Sequence, residues 1–263
     1  MNIVVCVKQV PDSWAEKKLN PSDNTLDREA TDAVVNELDE FAIEEALQLQ
    51  EKLGGAESCK VTVLTMGPEK AIESVRKGLQ MGADEGVHVS DDALHGTDAI
   101  GTSLVLAKAI ERIGPELVIM GSESTDARMS VVPAMVAERL GRPQLTFANK
   151  VEIDADSIVI HRQTDYGYDR VEAKLPALVS VVEKINEPRY PSFKGIMAAK
   201  KKPVETLSLA DLEVKAEDVG LGGSWSGVQT FAARPPRQAG TIVTDDGGGG
   251  VKLAEYLAGQ KFI

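Results

Sequence analysis

Short, nearly continuous apolar runs alternate along the chain with longer stretches in which apolar side chains recur every three or four positions. Residues 3–7 (IVVCV), 60–67 (KVTVLTMG), 86–90 (GVHVS) and 116–120 (ELVIM) are runs of the first kind, as expected of strands covered on both faces. Residues 36–53, 68–82 and 98–114 carry the helical spacing; in the first, Leu38, Phe41, Ala42, Ala46 and Leu49 fall on one stripe. The punctuation agrees. Gly54-Gly55 stops the first helix, Pro68 occupies the first turn of the second, Thr97 or Asp98 caps the third, and Gly114-Pro115 ends it. Strand and crossover helix in succession predict an α/β fold on a doubly wound parallel sheet, because parallel neighbours need crossovers of roughly a dozen residues.

After Pro143 the pattern changes. Residues 144–153, 157–164 and 168–173 alternate with period two around turns at 154–156 and 165–167, which predicts an antiparallel extension. The run ALVSVV at 177–182 returns to the main sheet. Residues 186–203, NEPRYPSFKGIMAAKKKP, set Arg189 and Tyr190 between two prolines, then Phe193, Ile196 and Met197, then Lys200, Lys201 and Lys202. This basic and apolar cluster looks like a docking segment, although lysines ending a short surface helix also suit its dipole. Beyond Pro203 the composition (GLGGS, ARPPRQAG, DDGGGG) is that of a linker or of an arm laid over something else, with a last short helix at 251–258. Three regions are expected: an α/β domain over 1–186, a docking loop and short helix over 187–203, and an extended C-terminal arm over 204–263.

Ligands of such sheets bind at the carboxyl ends of the strands. Those ends, 6–10, 66–67, 90–92 and 121–126, converge on one rim. The stretch 116–133 is its most informative part. The strand stops at Gly121, and Ser122, Glu123, Ser124, Thr125 and Asp126 bring hydroxyls, a carboxylate and backbone N–H groups ahead of a helix that starts near Ser130 or Val131. Unpaired N–H groups at a helix start favour an anion, which makes this a candidate phosphate site. An ordinary loop whose Ser and Asp cap the helix is the other reading. The long polar connection after the first strand, with Asp12, Trp14 and LNPSDNTLDRE, is either functional or an exposed β-ribbon.

Charge narrows the field: 29 Lys and Arg against 41 Asp and Glu leave a net −12, which argues against nucleic-acid binding and against anionic membranes. Lys8 interrupts the N-terminal apolar run too soon for a signal peptide, and no apolar run is long enough for direct membrane insertion. Cys6 and Cys59 form no CxxC, and the three histidines lack metal-site spacing, so neither zinc nor a disulfide framework is suggested and a cytoplasmic location is the default. GxGxxG, Walker and GxSxG patterns are missing. Asp12, Asp39 and Asp126 are single carboxylates of the capping or ribose-binding kind. The residues themselves therefore lead to a nucleotide-binding α/β domain with a docking segment and an arm, any redox or group-transfer chemistry coming from a partner or cofactor.

The strings VCVKQVPD, AIEEAL, MGPEKA, MGADEGVHV, GSESTDA, VIHRQTDYGYDRVEAKLPALVSV and NEPRYPSFKGIMAAKKKP resemble, in this order and over nearly the whole chain, the β subunits of electron transfer flavoproteins. The resemblance implies a Rossmann-like, adenine-nucleotide-binding domain in a heterodimer with a larger α subunit that holds most of the FAD. It implies an electron carrier rather than an enzyme, taking electrons from acyl-CoA or other dehydrogenases, as in fatty acid oxidation, and passing them to a quinone oxidoreductase. It also implies AMP on the rim. Carried over by motif, the contacts are Cys6, Asn36, Glu37, Leu38, Asp39, Met66, Gly121, Ser122, Glu123, Ser124, Thr125, Asp126, Ala127, Arg128, Met129, Ser130, Val131 and Val132, with Arg128 as an extra phosphate ligand. Asn36-Glu37 stands where many members have Asn-Pro, and the run from Ala127 to Val131 replaces the GDTAQ-like run of electron-bifurcating members, which favours AMP over a second FAD. The family's recognition loop falls on Tyr190, Phe193, Ile196, Met197, Lys200, Lys201 and Lys202, with Phe193 as apolar anchor and the lysines steering. The arm would wrap the α subunit, and Trp14 and Leu38 belong to segments that approach the flavin ring. A stand-alone nucleotide-binding module of the universal-stress type is the competing class; it lacks the recognition loop.

Overall fold

The computed structural model describes residues 1–263 except Ala155, Gln238 and Thr241, so the turn expected at 154–156 has its centre outside the described residues. Strand β1 (Asn2–Cys6) leads into a two-stranded antiparallel ribbon, β2 (Gln9–Pro11) with β3 (Ala33–Val35), which brackets the long polar connection. Then follow α1 (Glu37–Lys52), β4 (Lys60–Met66), α2 (Ile72–Met81), β5 (Glu85–Val89), α3 (Ala99–Ile113), β6 (Leu117–Gly121), α4 (Val132–Leu140), β7 (Gln144–Asp154), β8 (Ser157–Thr164), β9 (Gly167–Lys174), β10 (Ala177–Val181), α5 (Phe193–Ala199), β11 (Val204–Leu207), α6 (Gly220–Gly223) and α7 (Gly249–Gly259).

Nine strands form one sheet in the order β11-β5-β4-β1-β6-β10-β7-β8-β9. Every neighbouring pair from β11 to β7 is parallel, while β8 and β9 continue the sheet antiparallel. The fold is thus α/β and Rossmann-like, with the antiparallel extension expected from the period-two stretches. The winding reverses at β1, with β4 and β5 to one side and β6 and β10 to the other. That reversal opens a crevice beyond the carboxyl ends of β1 and β6.

Both faces of the sheet are covered, which is why the strands read as continuous apolar runs. In β1, Ile3 and Val5 pack in one cluster with Ile43 and Leu47 of α1 and Val75 and Leu79 of α2. Val4 and Cys6 face the other way, with Val105 and Ile110 of α3 and Val136 of α4. Ile3, Val4 and Val5 are wholly buried, and each contributes about 1.5–3 kcal/mol from burial.

The C-terminal region divides later in packing than in composition. β11 pairs with β5 at the sheet edge, and the first compact unit runs Met1–Gln229. The second, Thr230–Ile263, carries α7, on which Val251, Leu253 and Tyr256 are exposed.

Asp98 fixes the end of the first unit. Its Oδ1 accepts from the Ile100 and Gly101 N–H groups at the start of α3, and its Oδ2 from Trp225 N (2.9 Å), Ser226 N (3.1 Å) and Ser226 Oγ (3.1 Å). Burial works against its charge, but the donated bonds outweigh it and hold the carboxyl below the usual carboxylate range. Asp98→Ala is expected to lower the unfolding free energy by about 1–2 kcal/mol and to speed amide exchange at Trp225 and Ser226. Chemical denaturation and hydrogen exchange measure the two effects.

Candidate functional site

The site is built where the winding reverses. After β1 the chain continues through Val7, whose N–H donates to Leu64 O (2.8 Å), to Lys8, whose carbonyl accepts from Asn36 N (2.9 Å). That bond brings the start of α1 into the crevice. Asn36 occupies the N-cap position yet does not cap α1 with its side chain. It is turned the other way: Nδ2 donates to Glu123 O (2.9 Å) and Oδ1 accepts from Thr125 N (3.0 Å). A buried asparagine thus holds the loop after β6 in place.

Asp39, in the first turn of α1, is buried between the two strand ends. Its Oδ2 accepts from Lys8 N (2.7 Å). On the other side lies Gly121, where a Cβ would run into Asp39 Oδ1 and the Leu38 side chain, so the strand end has to be glycine. Burial pushes the Asp39 carboxyl up to about 7, against the Asn36, Lys8 and Gly121 groups that favour its charge. The same burial, and the Asp39 carboxylate, push the Cys6 thiol up, so Cys6 is a packing residue with no thiolate character.

The loop beyond Gly121 is held by cations that the sequence pattern does not single out. Lys8 Nζ donates to Asp126 Oδ1 (2.8 Å) and Ser124 Oγ (3.3 Å), Arg28 Nη2 to Asp126 Oδ2 (2.9 Å), and Lys17 Nζ to Thr125 O (3.1 Å). Burial opposes the charge of Asp126, but Lys8 and Arg28 hold its carboxyl far below the usual range. Both its oxygens are engaged within the chain. The available signal was a lone lysine ending a central strand and two further cations in the long connection. That connection, bracketed by the β2–β3 ribbon, closes on the β6 loop.

From Ala127 onward the loop is open. Arg128 and Ser130 adopt left-handed φ values of 48° and 55°, which costs a non-glycine residue about 1–2 kcal/mol; such conformations concentrate at functional sites. Ser130 Oγ donates to Glu123 Oε2 (2.7 Å), Arg128 Nη1 lies 3.9 Å from Glu123 Oε1, and Ala127, Met129 and Val131 are exposed. No side chain caps α4 at Val131, and Pro133 stands in its first turn. The helix start at Val132 therefore offers N–H groups to an anion. Cys6, Asn36, Leu38, Asp39 and residues 121–126 meet at the crevice, with Met66 at the end of the adjoining β4. Glu37 points outward and accepts from Ser13 Oγ (3.2 Å), and Trp14 is almost fully exposed. The exposed Arg128 and the uncapped start of α4 are the anion-compatible groups of this rim, while the space at Gly121 is taken by Asp39 and Leu38.

Tyr190, ahead of α5, and Phe193, at its start, are 91% and 80% exposed, and Ile196 and Met197 on α5 and Lys200 and Lys201 after it are exposed as well. Lys202 differs from its neighbours. Its ammonium donates to the carbonyls of Leu79 (3.2 Å), Gly82 (3.0 Å) and Ala83 at the end of α2, so it is not a free cation for steering.

Residues 23–212 match the electron transfer flavoprotein domain family. The chain is 54% identical over 265 residues to the electron transfer flavoprotein subunit beta of Mycobacterium tuberculosis, covering all of this chain and 99% of that one. It is 40% identical over 245 residues to the protein of the same name from Thermoanaerobacterium thermosaccharolyticum, covering 93% and 92%. It is also 36% identical over 245 residues to the caffeyl-CoA reductase-Etf complex subunit CarD of Acetobacterium woodii, with the same coverage. The chain belongs to the electron transfer flavoprotein beta-subunit family. An electron-transfer role comes with that membership. The carboxylates of Asp39 and Asp126 at the rim are engaged in fastening strand ends and loops, and Cys6 is buried. Among the described residues no helix is long and apolar enough to cross a membrane.

Asp39 gives the site a pH signature. Its folded-state pKa lies above the unfolded value near 4, so the folded chain binds the extra proton between pH 4 and 7. Its contribution to stability is then largest below pH 4, falls as pH rises to about 7, and is flat above. In Asp39→Asn this part of the slope, on the order of a few kcal/mol, is expected to vanish. Denaturation midpoints of both proteins across pH 4–8 test it; parallel profiles rule it out.

Proposed function

We propose that this chain is the nucleotide-binding subunit of a heterodimeric electron carrier, with AMP on the β1/β6 rim and the redox FAD held mainly by a larger α subunit. Electrons arrive from acyl-CoA or other flavin dehydrogenases that dock on α5, and leave toward a quinone oxidoreductase in the same cytoplasmic setting. The observation that carries this is the pairing of an anion-ready rim, fastened from within by Asn36, Asp39 and Asp126, with a separate exposed apolar and basic element. Backbone groups at Cys6 and Met66 suit the adenine edge, Ser124 and Thr125 the ribose, and the α4 start with Arg128 the phosphate. When bound, FAD supplies the one-electron chemistry; the residues of this chain bind, orient and exclude water. The residues from Ala127 to Val131, which lack the GDTAQ-like run of bifurcating members, favour AMP over a second FAD. The arm from Thr230 onward, with the exposed apolar side chains of α7, suits the surface of the α subunit.

Extraction of the purified complex is expected to release one AMP and one FAD per pair of chains. Two FAD and no AMP would support the bifurcating alternative, and a colourless homodimer would support a stand-alone module. Arg128→Ala is expected to weaken AMP retention roughly three- to tenfold, as for one exposed charge-assisted contact, measured by equilibrium dialysis of the reconstituted complex; unchanged retention removes Arg128 from the site. Phe193→Ala is expected to slow electron transfer from an acyl-CoA dehydrogenase by about tenfold without loss of flavin absorbance. Stopped-flow reduction of the complex reads it.

A further inference from the structure

The helix α5 has no buried residue of its own. A helix of seven residues does not hold its shape in water unaided, and this one carries Phe193, Ile196 and Met197 on its exposed surface. Something else keeps it formed and aimed.

Ser192 caps its first turn and Ala199 touches the core, and two polar clamps fix its ends. Before α5, the guanidinium of Arg189 forks onto Glu44 of α1, with Nε to Oε2 at 2.7 Å and Nη2 to Oε1 at 2.9 Å, while Nη1 reaches Glu51 Oε1 at 2.7 Å. The Arg189 N–H donates to Glu44 Oε2 as well (3.2 Å), so main chain and side chain are tied to one carboxylate. That carboxylate is only 5% exposed and also accepts from Gln48 Nε2 (3.0 Å). Such a bidentate pair fixes geometry as well as adding energy. After α5, Lys202 spends its three N–H donors on the three carbonyls that end α2, where the helix dipole favours a cation. Between the clamps Gly195 lies against the α2 backbone; a Cβ there would come within 2.6 Å of Gln80 O. The short helix is thus laid across the end of α2, fastened at one end to α1 and at the other to α2.

We propose that Arg189 and Lys202 are positioning residues for electron transfer: they hold α5 formed and aimed before the partner dehydrogenase arrives, so that docking affinity is set inside this chain as well as at the contact. The inference rests on α5 being the docking element. Holding the helix in advance removes ordering entropy from the association step, so losing a clamp weakens docking and leaves the transfer within the docked complex alone.

The test uses the flavin-loaded complex with an acyl-CoA dehydrogenase reduced by an acyl-CoA substrate. Arg189→Ala and Lys202→Met are each expected to raise the apparent KM for the dehydrogenase roughly tenfold, the equivalent of a few immobilised side chains, with kcat and nucleotide content within about twofold. Arg189→Lys, which keeps the charge and loses the fork, is expected to fall between wild type and Arg189→Ala, and it supplies the reading if Arg189→Ala folds poorly. In a Phe193→Ala background the Arg189→Ala effect is expected to shrink to less than about threefold, because both act through one docking event. Hydrogen exchange without any dehydrogenase should quicken at residues 194–199 in both clamp variants and stay unchanged in the first two turns of α1. Equal effects of Arg189→Ala with and without Phe193, or unchanged exchange over α5, overturn the proposal. If Phe193→Ala itself leaves KM unchanged while exchange over α5 quickens in the clamp variants, the docking assignment of α5 fails, and the clamps with it.

Discussion

Asn36 and Asp39, both buried at the start of α1, are the constraint on which the rest depends. A parallel sheet that reverses its winding leaves a crevice, and its strand ends leave polar backbone groups that have to be satisfied there. Asp39 accepts the Lys8 N–H and presses against Gly121, and Asn36 takes one donor and one acceptor from the β6 loop. Two side chains three residues apart on one helix therefore join β1, β6 and the loop between β6 and α4. The same helix, about 24 Å long at its sixteen residues, presents Glu44 and Glu51 to Arg189 further along. One rigid element thus carries contacts to both the rim and the docking segment.

Charge is distributed against the average. The chain is strongly acidic overall, yet Lys8, Lys17 and Arg28 gather on the loop at the rim. Asp126 pairs with two of them, Lys8 and Arg28, which lets its carboxylate be buried beside two partly exposed cations, since alone it would bear a heavy desolvation cost. Burial draws the Lys8 ammonium down from its usual range despite Asp126. The surrounding acidity repels other polyanions, while three cations offset it locally at the rim.

What was legible in the sequence follows the range of the interactions involved. Periodicity, glycine stops and the Asp98 cap are local, and α1, α2, α3 and the central strands follow from them within a residue or a few. The hairpin β8–β9 was visible in its alternation. β11 was hidden because Val204–Leu207 stands in a stretch of linker-like composition, and only pairing with β5, far back in the chain, makes it a strand. The roles of Asp126 and Lys202 were hidden for the same reason. A serine- and aspartate-rich loop reads as ligand-binding, and a lysine run reads as free charge, until the partners are known. Asp126 meets Lys8 and Arg28 across about a hundred residues, and Lys202 meets the end of α2 across more than that. Of the rim, the backbone frame was legible from its glycine and its helix start, while the side chains that fasten it were not.

This separation has a consequence for how an electron carrier is built. Groups that fasten strand ends and loops at the rim are paired and desolvated, as Asn36, Asp39 and Asp126 are. Phe193, Met197 and Lys200 remain exposed instead, as the proposed docking role requires of a surface that has to stay accessible. Burying the second set would stabilise the chain and abolish encounter; exposing the first would let water into the rim and loosen the strand ends. The fold keeps the two sets apart: the fastening groups gather at the start of α1 and on the β6 loop, while α5 lies against α2. The cost of leaving apolar side chains in water is then borne by polar clamps at Arg189, which grips the buried Glu44, and at Lys202, which grips the carbonyls closing α2.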